Sequence, residues 1–388
     1  MEKIENLINE LSANYGILGL VLVGAIIVFF IIQIALYLGL YRRIAKFRLT
    51  KRKPIREKEP AISVVVPLFA EDYDYLDNSL TTLLTQDYKQ FEVIVVYVGK
   101  NNDFFSDLKS LQRLYPNLSP IQIDYSPRYP VSTKIALNVG IKSAKYDFIV
   151  TTTAAATPSS ERWLTLLAKG FLYGDITMGY SGMQRQRGLR NFIFRAYQFS
   201  ESMSWISAAI RRRAYSSSRN ALGFKKSLYF DVRGYKHLDM NVGENDLFLQ
   251  QIATRDNVSV VLTPRATTSE RIWGGWSWWW NRVKSLHATH RYYPRRAMAA
   301  TNAELWFRTL FFASIIATLV LLPDPFKVMA LILLAVRYLL VQITVIRNAR
   351  RVGEGGLVAL HFIYDIIEPI LRLFVALAAK RTHKKKWS

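Results

Sequence analysis

The stretch YDFIVTTTAAATPSSERWL, residues 146–164, decides how the soluble part of this chain folds. An apolar run ends in a polar loop, and a proline then leads into a helical pattern, as when a buried strand leaves a sheet. Proteins built of alternating strands and helices bind their ligands at such strand ends. The loop TTTAAATP nevertheless contains no acid at all.

The same pattern repeats along the chain. Apolar runs at 61–69 and 91–99 predict two further buried strands, and residues 77–86 and 132–144 predict helices. Strands that are apolar throughout and alternate with helices predict an α/β fold, with a mostly parallel sheet covered by helices on both faces. The ligand site is then expected beyond the carboxyl ends of these strands.

Apolar stretches at both ends of the chain predict membrane helices. Residues 16–41 carry no charge and exceed the about 20 residues that cross a bilayer. The basic run at 42–58 follows directly, and such runs mark the cytoplasmic side of a span. The N-terminus lacks the basic region of a signal peptide, so we expect an uncleaved anchor.

Two apolar stretches nearer the C-terminus, 305–323 and 328–346, predict a transmembrane hairpin. Arg337 in the second stretch either faces the helix bundle or marks a misplaced boundary. The apolar piece 357–379 lies between two basic runs and contains two acids and a proline. This composition favours a helix that lies on the membrane or re-enters it.

Between these regions lies a tryptophan-rich segment. Trp276, Trp279, Trp280 and Val283 recur at helical spacing, which predicts an amphipathic helix anchored at the membrane interface. His287 and the nearby His290 would suit a metal by spacing, but without a third ligand we interpret both as interfacial side chains.

The predicted organisation has five parts: an N-terminal transmembrane anchor and basic linker, 1–59; a soluble α/β domain, 60–270; an amphipathic interfacial helix, 271–300; a transmembrane hairpin, 301–351; and a membrane-surface or re-entrant helix with a basic tail, 352–388.

Composition excludes several classes of function. The net charge of +23 would suit nucleic acid, but the basic runs flank the apolar stretches, so a membrane lipid surface is the expected partner and nucleic acid is not. The absence of cysteine excludes disulfides, thiolate zinc sites and a cysteine nucleophile.

Several segments occur in an order that resembles a known family. They are SVVVPLFAED (63–72), LLTQDYKQFEVIVV (83–96), TKIALNVGIKSAKYDFIV (133–150), PSSERWL (158–164), SSRNALGFKKSLYFDVRGY (217–235) and GENDLFL (243–249). Together they resemble membrane-bound, processive-type members of glycosyltransferase family 2. The resemblance implies a GT-A fold, which is Rossmann-like, and transfer of a sugar from a nucleotide-diphosphate donor to a lipid or polysaccharide acceptor. It also suggests envelope glycan synthesis at a bacterial inner membrane, with the soluble domain in the cytoplasm.

At the donor site the resemblance implies acids that this chain lacks. The position of the family's acid after the second strand holds Tyr97, and its Asp-x-Asp positions hold Thr153, Ala154 and Ala155. The family uses Mg²⁺ or Mn²⁺, but alanine cannot ligate a hard cation, which needs oxygen ligands. We therefore predict no metal site. The remaining donor-binding candidates are Pro67, Glu71 and Lys134.

The family's general base corresponds to GENDLFL at 243–249. Aligning on Gly-Glu places Asn245 at the base position, whereas aligning on Asp-Leu places Glu244 there. The catalytic candidates are Glu244 and Asp246, and the alternative is that both only cap the following helix.

A basic motif of the family contacts the donor pyrophosphate and the acceptor. Aligned on the tryptophans it places Arg282 and Ser285 there, and a shift of one residue gives Asn281 and Lys284 instead. Arg219 is a further candidate on the acceptor side, because arginine binds phosphate in a bidentate manner.

Two functions remain open. The first is a membrane glycosyltransferase that works without the usual metal loop. The second is a catalytically inactive relative that acts as the partner or scaffold of an active transferase or polymer-assembly complex, because four separate motifs depart at their reactive positions.

Overall fold

The computed structural model describes residues 2–124, 131–235 and 242–384. Its α-helices are Glu2–Lys46 (α1), Thr81–Leu84 (α2), Asn102–Leu114 (α3), Thr133–Ser143 (α4), Trp163–Phe171 (α5), Leu189–Ile210 (α6), Lys226–Asp231 (α7), Asp246–Ile252 (α8), Trp276–His287 (α9), Arg295–Leu321 (α10), Asp324–Arg351 (α11) and His361–Lys384 (α12). Short turns of other helix types are Leu49–Lys51, Tyr75–Leu80, Pro264–Ala266, His290–Tyr292 and Gly355–Leu360.

The strands of the described residues are Ile62–Leu68 (β1), Phe91–Val98 (β2), Leu118–Ile123 (β3), Phe148–Thr151 (β4), Ala156–Pro158 (β5), Ile176–Gly179 (β6), Ser181–Met183 (β7), Leu222–Lys225 (β8), Val258–Val261 (β9) and Thr268–Glu270 (β10).

Seven of these strands form one sheet in the order β3-β2-β1-β4-β8-β6-β9. The strands from β3 to β4 run parallel, β8 is antiparallel to both of its neighbours, and β6 is parallel to β9. All seven residues of β1 are buried, because there is a hydrophobic core on each face of the strand. Val65 packs into the core beside α4, and Val64 packs into the core beside α2. Helices therefore cover both faces, and the predicted α/β fold is confirmed.

A second, three-stranded sheet forms next to the acid-free loop. β10 pairs antiparallel with β5 and parallel with β7, and Glu270 lies opposite Ala156. The proline that was expected to lead into a helix, Pro158, ends β5 instead, and α5 begins only at Trp163. This small sheet was not predicted, because three-residue strands carry too little periodicity.

Three helices are long and apolar enough to cross a membrane: Gly16–Lys46, Met298–Leu321 and Asp324–Arg351. α1 is bent at Gly16, whose φ of 57° is a conformation that glycine adopts readily. The chain thus has the helices of a membrane protein by length and composition. α10 and α11 pack against each other as a helical hairpin, and the placement of this hairpin across a membrane stays a prediction.

Buried ion pairs join α12 to α10 and α11. Asp365 binds Arg337, and its Oδ1 lies 3.1 Å from Nη1 of Arg308. Glu368 lies 2.8 Å from both Arg308 and Arg372. Arg337 therefore faces the bundle, which settles the alternative that the sequence left open. Because the two acids are buried in ion pairs, they do not indicate a surface position for α12, and the surface or re-entrant placement of 352–388 stays a prediction.

Candidate functional site

A cavity of about 80 Å³ lies where α6, α8 and α9 meet. Its lining combines acids, guanidinium groups and imidazoles, which is unusual for a cavity beside a hydrophobic core. The charged or titratable side chains concerned are Glu201, Arg219, Asp246, Glu270, Arg282, His287 and His290.

Asp246 is the carboxylate at the start of α8, and it is 5% exposed. Its Oδ2 accepts hydrogen bonds of 2.5 Å from Thr289 Oγ1 and from the Tyr293 hydroxyl. Burial and the Asp246 carboxylate raise the pKa of Tyr293, so that hydroxyl remains a donor. Asn245, at the cap position, donates to the carbonyl of Ser217 and makes no side-chain cap. The Thr289 and Tyr293 hydroxyls thus hold Oδ2 of Asp246, while its Oδ1 accepts a 2.8 Å hydrogen bond from the backbone N–H of Leu247 in the first turn of α8. The carboxylate therefore also makes the contact with the helix start that the capping alternative expects, and its role as a base stays a prediction.

Arg219 and Glu244 form a neighbouring ion pair. The Arg219 Nε lies 2.5 Å from Glu244 Oε1, although the angle is not that of a hydrogen bond. Burial alone would lower the pKa of Arg219, but the carboxylates of Glu244 and Glu270 raise it above its ordinary value. Arg219 is therefore a fixed positive charge at the edge of the cavity.

Glu270 and Arg282 form an ion pair with two contacts, one of which is a hydrogen bond. Arg282 Nη1 lies 2.6 Å from Glu270 Oε1, and Nη2 donates to Oε2 at 2.7 Å. Asn220 donates to the same Oε2 at 3.2 Å and accepts a 2.7 Å bond from Thr153 Oγ1. Hydrogen bonds thus connect the acid-free loop to a carboxylate on β10. The sequence analysis missed Asn220 and Glu270, and a lone acid in a three-residue strand gave no signal that could have found them.

The two histidines also belong to the cavity. Their ring centroids are 3.9 Å apart, and His287 Nε2 is hydrogen-bonded to the Tyr197 hydroxyl at 2.6 Å. Burial, followed by the positive charge on the other ring, lowers the pKa of His287; burial also lowers that of His290. The Tyr197 hydrogen bond directs His287 towards α6, and His290 lies in the following turn, His290–Tyr292. The interpretation of both residues as interfacial side chains stays a prediction.

α9 is held in place by Trp279, which is 1% exposed and stacks on Phe194 with ring centroids 4.9 Å apart. Val283, one turn later, is buried as well, whereas Trp276 is 50% exposed. The tryptophan stripe thus packs partly against α6, and this packing positions Arg282 beside Glu270.

Side chains fill the carboxyl ends of β1 and β2. The Tyr97 ring is 1% exposed, lies 5.0 Å from the Phe104 ring, and its hydroxyl donates to Glu71 at 2.9 Å. A Cβ atom added at Gly99 would come within 2.2 Å of the Tyr97 hydroxyl, so a larger residue here would displace the Tyr97 ring. The end of the sheet where donor binding is expected is therefore occupied by the protein itself.

Arg271 contacts both the loop after β1 and the loop after β4. Its guanidinium pairs with Asp72 and Asp74, and its backbone N–H donates to the carbonyl of Ala155 at 2.7 Å. The loop after β1 is thus tied to the acid-free loop after β4.

The predicted site residues fall into three groups. Asp246, Arg219 and Arg282 line the cavity together, and Glu244 contacts Arg219. Tyr97 and Glu71 are hydrogen-bonded to each other at the strand ends. Thr153 donates to Asn220, which lines the cavity, and the carbonyl of Ala155 accepts from the backbone of Arg271. The others lie apart: Pro67 is buried in β1, Lys134 is fully buried in α4, and Lys284 is half-buried on α9 outside the cavity lining.

The donor atoms do not fit a divalent metal. The loop after β4 offers only threonine and alanine side chains, and both oxygens of Glu270 are engaged by Arg282. Within the described ranges, no group of three His, Cys, Asp or Glu residues is arranged to hold a metal ion. Mg²⁺ and Mn²⁺ need several oxygen ligands, which these side chains do not supply.

Comparison with known proteins identifies the family. A family model described as glycosyl transferase family 21 matches residues 27–377. This match confirms the expected resemblance to glycosyltransferases, but family 21 is a different family from family 2. No curated protein matches the chain.

A solved structure shares the fold. A mannosyltransferase from Pyrobaculum calidifontis, PcManGT, solved in complex with GDP-Man and Mn²⁺, is 17% identical, with a TM-score of 0.53 over 89% of this chain and 99% of that chain. The structure of S. aureus TarS 1-349 is 16% identical over 78% of this chain and 91% of its own, with a TM-score of 0.41. At this identity the mannosyltransferase shows a shared fold alone.

Proposed function

Because the chain belongs to glycosyl transferase family 21, we propose that it transfers a sugar from a nucleotide-diphosphate donor without a bound metal ion. The observation that carries the proposal is the convergence of Asp246, Arg219 and Arg282 on one cavity. A carboxylate and two guanidinium groups supply the base and the positive charge that such a transfer needs.

In this mechanism Asp246 accepts the proton of the acceptor hydroxyl as that oxygen bonds to the anomeric carbon of the donor. The bond from this carbon to the diphosphate oxygen breaks, and the leaving nucleoside diphosphate takes the electron pair. Arg219 and Arg282 stabilise its charge, since arginine binds phosphate oxygens through paired N–H groups. To do so, Arg282 exchanges the Glu270 carboxylate for the diphosphate.

The acceptor is a lipid-linked sugar or a polysaccharide at a bacterial inner membrane. The basic residues 42–58 that follow the first apolar helix support a cytoplasmic position for the soluble domain. We also propose that the chain is organised in the five parts predicted from the sequence, with the soluble α/β domain between the membrane segments.

The test is nucleotide release by the full-length chain in detergent, with a panel of UDP- and GDP-sugars and with or without EDTA. We expect turnover that EDTA leaves unchanged and that Asp246→Asn lowers at least about 100-fold. The matched control is Asp103→Asn, an exposed acid in the first turn of α3. Loss of turnover with EDTA, or full turnover of Asp246→Asn, would contradict the mechanism.

A second candidate function, that of a non-catalytic partner of an active transferase, is favoured by two observations. The cavity of about 80 Å³ is much smaller than the about 300 Å³ or more of small-molecule sites, and Tyr97 fills the end of the sheet. This candidate predicts no nucleotide release and no nucleotide binding by the chain alone, together with co-purification of an active transferase from its native membrane.

A further inference from the structure

A second cavity, of about 670 Å³, lies at the C-terminal end of α1. Of its eleven lining residues seven are lysine or arginine, and none is an acid. Six of the seven lie within residues 42–52, and the seventh, Arg212, follows α6. This cavity is separate from the one that contains Asp246, and no lining residue is shared between them.

Six of the seven positive charges around this cavity have no ion-pair partner among the described residues. Arg212 pairs with Asp256 at 2.6 Å, in a pair that is largely exposed. Among the described residues, none of the other six cations has a carboxylate within 4.0 Å. Burial, and to a smaller extent the positive charge of Arg212, lower the pKa of Arg52, while the Asp256 carboxylate opposes this shift. An anion would therefore bind here favourably.

The remaining part of the cavity is apolar. Leu38, Phe47 and Ile210 contribute to its lining, and Leu38 lies within the helix Gly16–Lys46 that is long enough to cross a membrane. The apolar residues thus continue the membrane-facing helix, and the basic residues begin where that helix ends. This is the polarity of a lipid with a charged headgroup.

We propose that this cavity binds the phosphate headgroup of an anionic membrane lipid, whose hydrocarbon part lies against Leu38 and the adjoining surface of α1. Arginine suits this ligand, since its planar N–H groups match the oxygens of phosphate. The volume exceeds what a single inorganic phosphate would fill, and a phospholipid headgroup fits it better.

The site is linked to the catalytic candidate through α6. Ile210, at the end of α6, lines the basic cavity, whereas Tyr197 and Glu201 on the same helix line the other one. Ser207 between them donates a 2.5 Å hydrogen bond to the carbonyl of Leu40 on α1. A lipid bound at this place would therefore hold α1 against α6.

The proposal is tested by native mass spectrometry of the full-length chain in detergent, titrated with phosphatidic acid or with zwitterionic phosphatidylcholine. We expect one saturable phosphatidic acid per chain and no comparable phosphatidylcholine binding. The double variant Arg43→Gln/Arg48→Gln should weaken that binding about 30-fold, because each basic residue near an anionic lipid contributes to its affinity.

The matched control is Arg347→Gln/Arg350→Gln, which removes the same charge from two exposed positions near the end of α11, outside the cavity. The control should bind phosphatidic acid like the unaltered chain. An equal loss of phosphatidic acid binding in both variants, or binding that does not saturate, would show that the lipid is attracted by general surface charge and would overturn the proposal. Displacement of the lipid by equimolar inorganic phosphate would identify a free-phosphate site and overturn it as well.

Discussion

Replacing Asp365 by asparagine tests the buried ion pairs that join α12 to the hairpin. The Asp365 side chain is 1% exposed, and its two oxygens bind Arg308 and Arg337, which are 3% and 0% exposed. Removing one partner of a buried ion pair leaves an uncompensated charge, which costs about 3–5 kcal/mol. We therefore expect Asp365→Asn to unfold at clearly lower denaturant than the unaltered chain.

The assay is unfolding in detergent followed by intrinsic tryptophan fluorescence. Asp324→Asn is the control, because Asp324 is 90% exposed and pairs with Lys327 at the surface, where an ion pair contributes about 0–1 kcal/mol. The double change Asp365→Leu/Arg337→Met should recover most of the loss, since an apolar pair replaces a charged one at little cost. Equal stability of Asp365→Asn and Asp324→Asn would refute the reasoning.

Three further outcomes are expected. Trp279→Ala should destabilise the chain by about 3–5 kcal/mol in denaturant unfolding, whereas the half-exposed Trp276→Ala should change it little. The folded chain depresses the pKa of His287 and His290, so below about pH 6.5 the unfolded chain binds more protons. The thermal midpoint should therefore fall on acidification, and less steeply when both histidines are replaced by glutamine. Tyr97→Ser should raise the affinity for UDP or GDP in calorimetry; unchanged affinity would show that the ring does not block the donor end.

The parts of the fold that the sequence predicted are those with long, continuous apolar patterns. β1 and β2 each lie within one residue of the predicted bounds, because strands buried on both faces need apolar side chains at every position. The edge strand β3 was missed, since most of its residues are only half-buried and its pattern is mixed. β10 was missed because a three-residue strand has no periodicity to detect.

The candidate site was harder to predict because its partners are distant in sequence. The motif around residue 246 indicated Asp246, but its hydrogen-bond donors Thr289 and Tyr293 lie 43 and 47 residues away. Arg282 was identified by alignment, whereas its partner Glu270 lay on an unpredicted strand. Motifs therefore located the charged groups, but only the packing of α9 on α6 determined which of them meet.

The central claim, donor binding without a metal, is tested most directly by calorimetric titration of the full-length chain in detergent. UDP, GDP and their sugars would be titrated with EDTA and, separately, with Mg²⁺ or Mn²⁺. The mechanism predicts saturable binding of at least one nucleotide sugar with the same affinity under all three conditions, and weaker binding by Arg282→Gln. Binding that appears only with the metal, or no binding to any nucleotide, would contradict it.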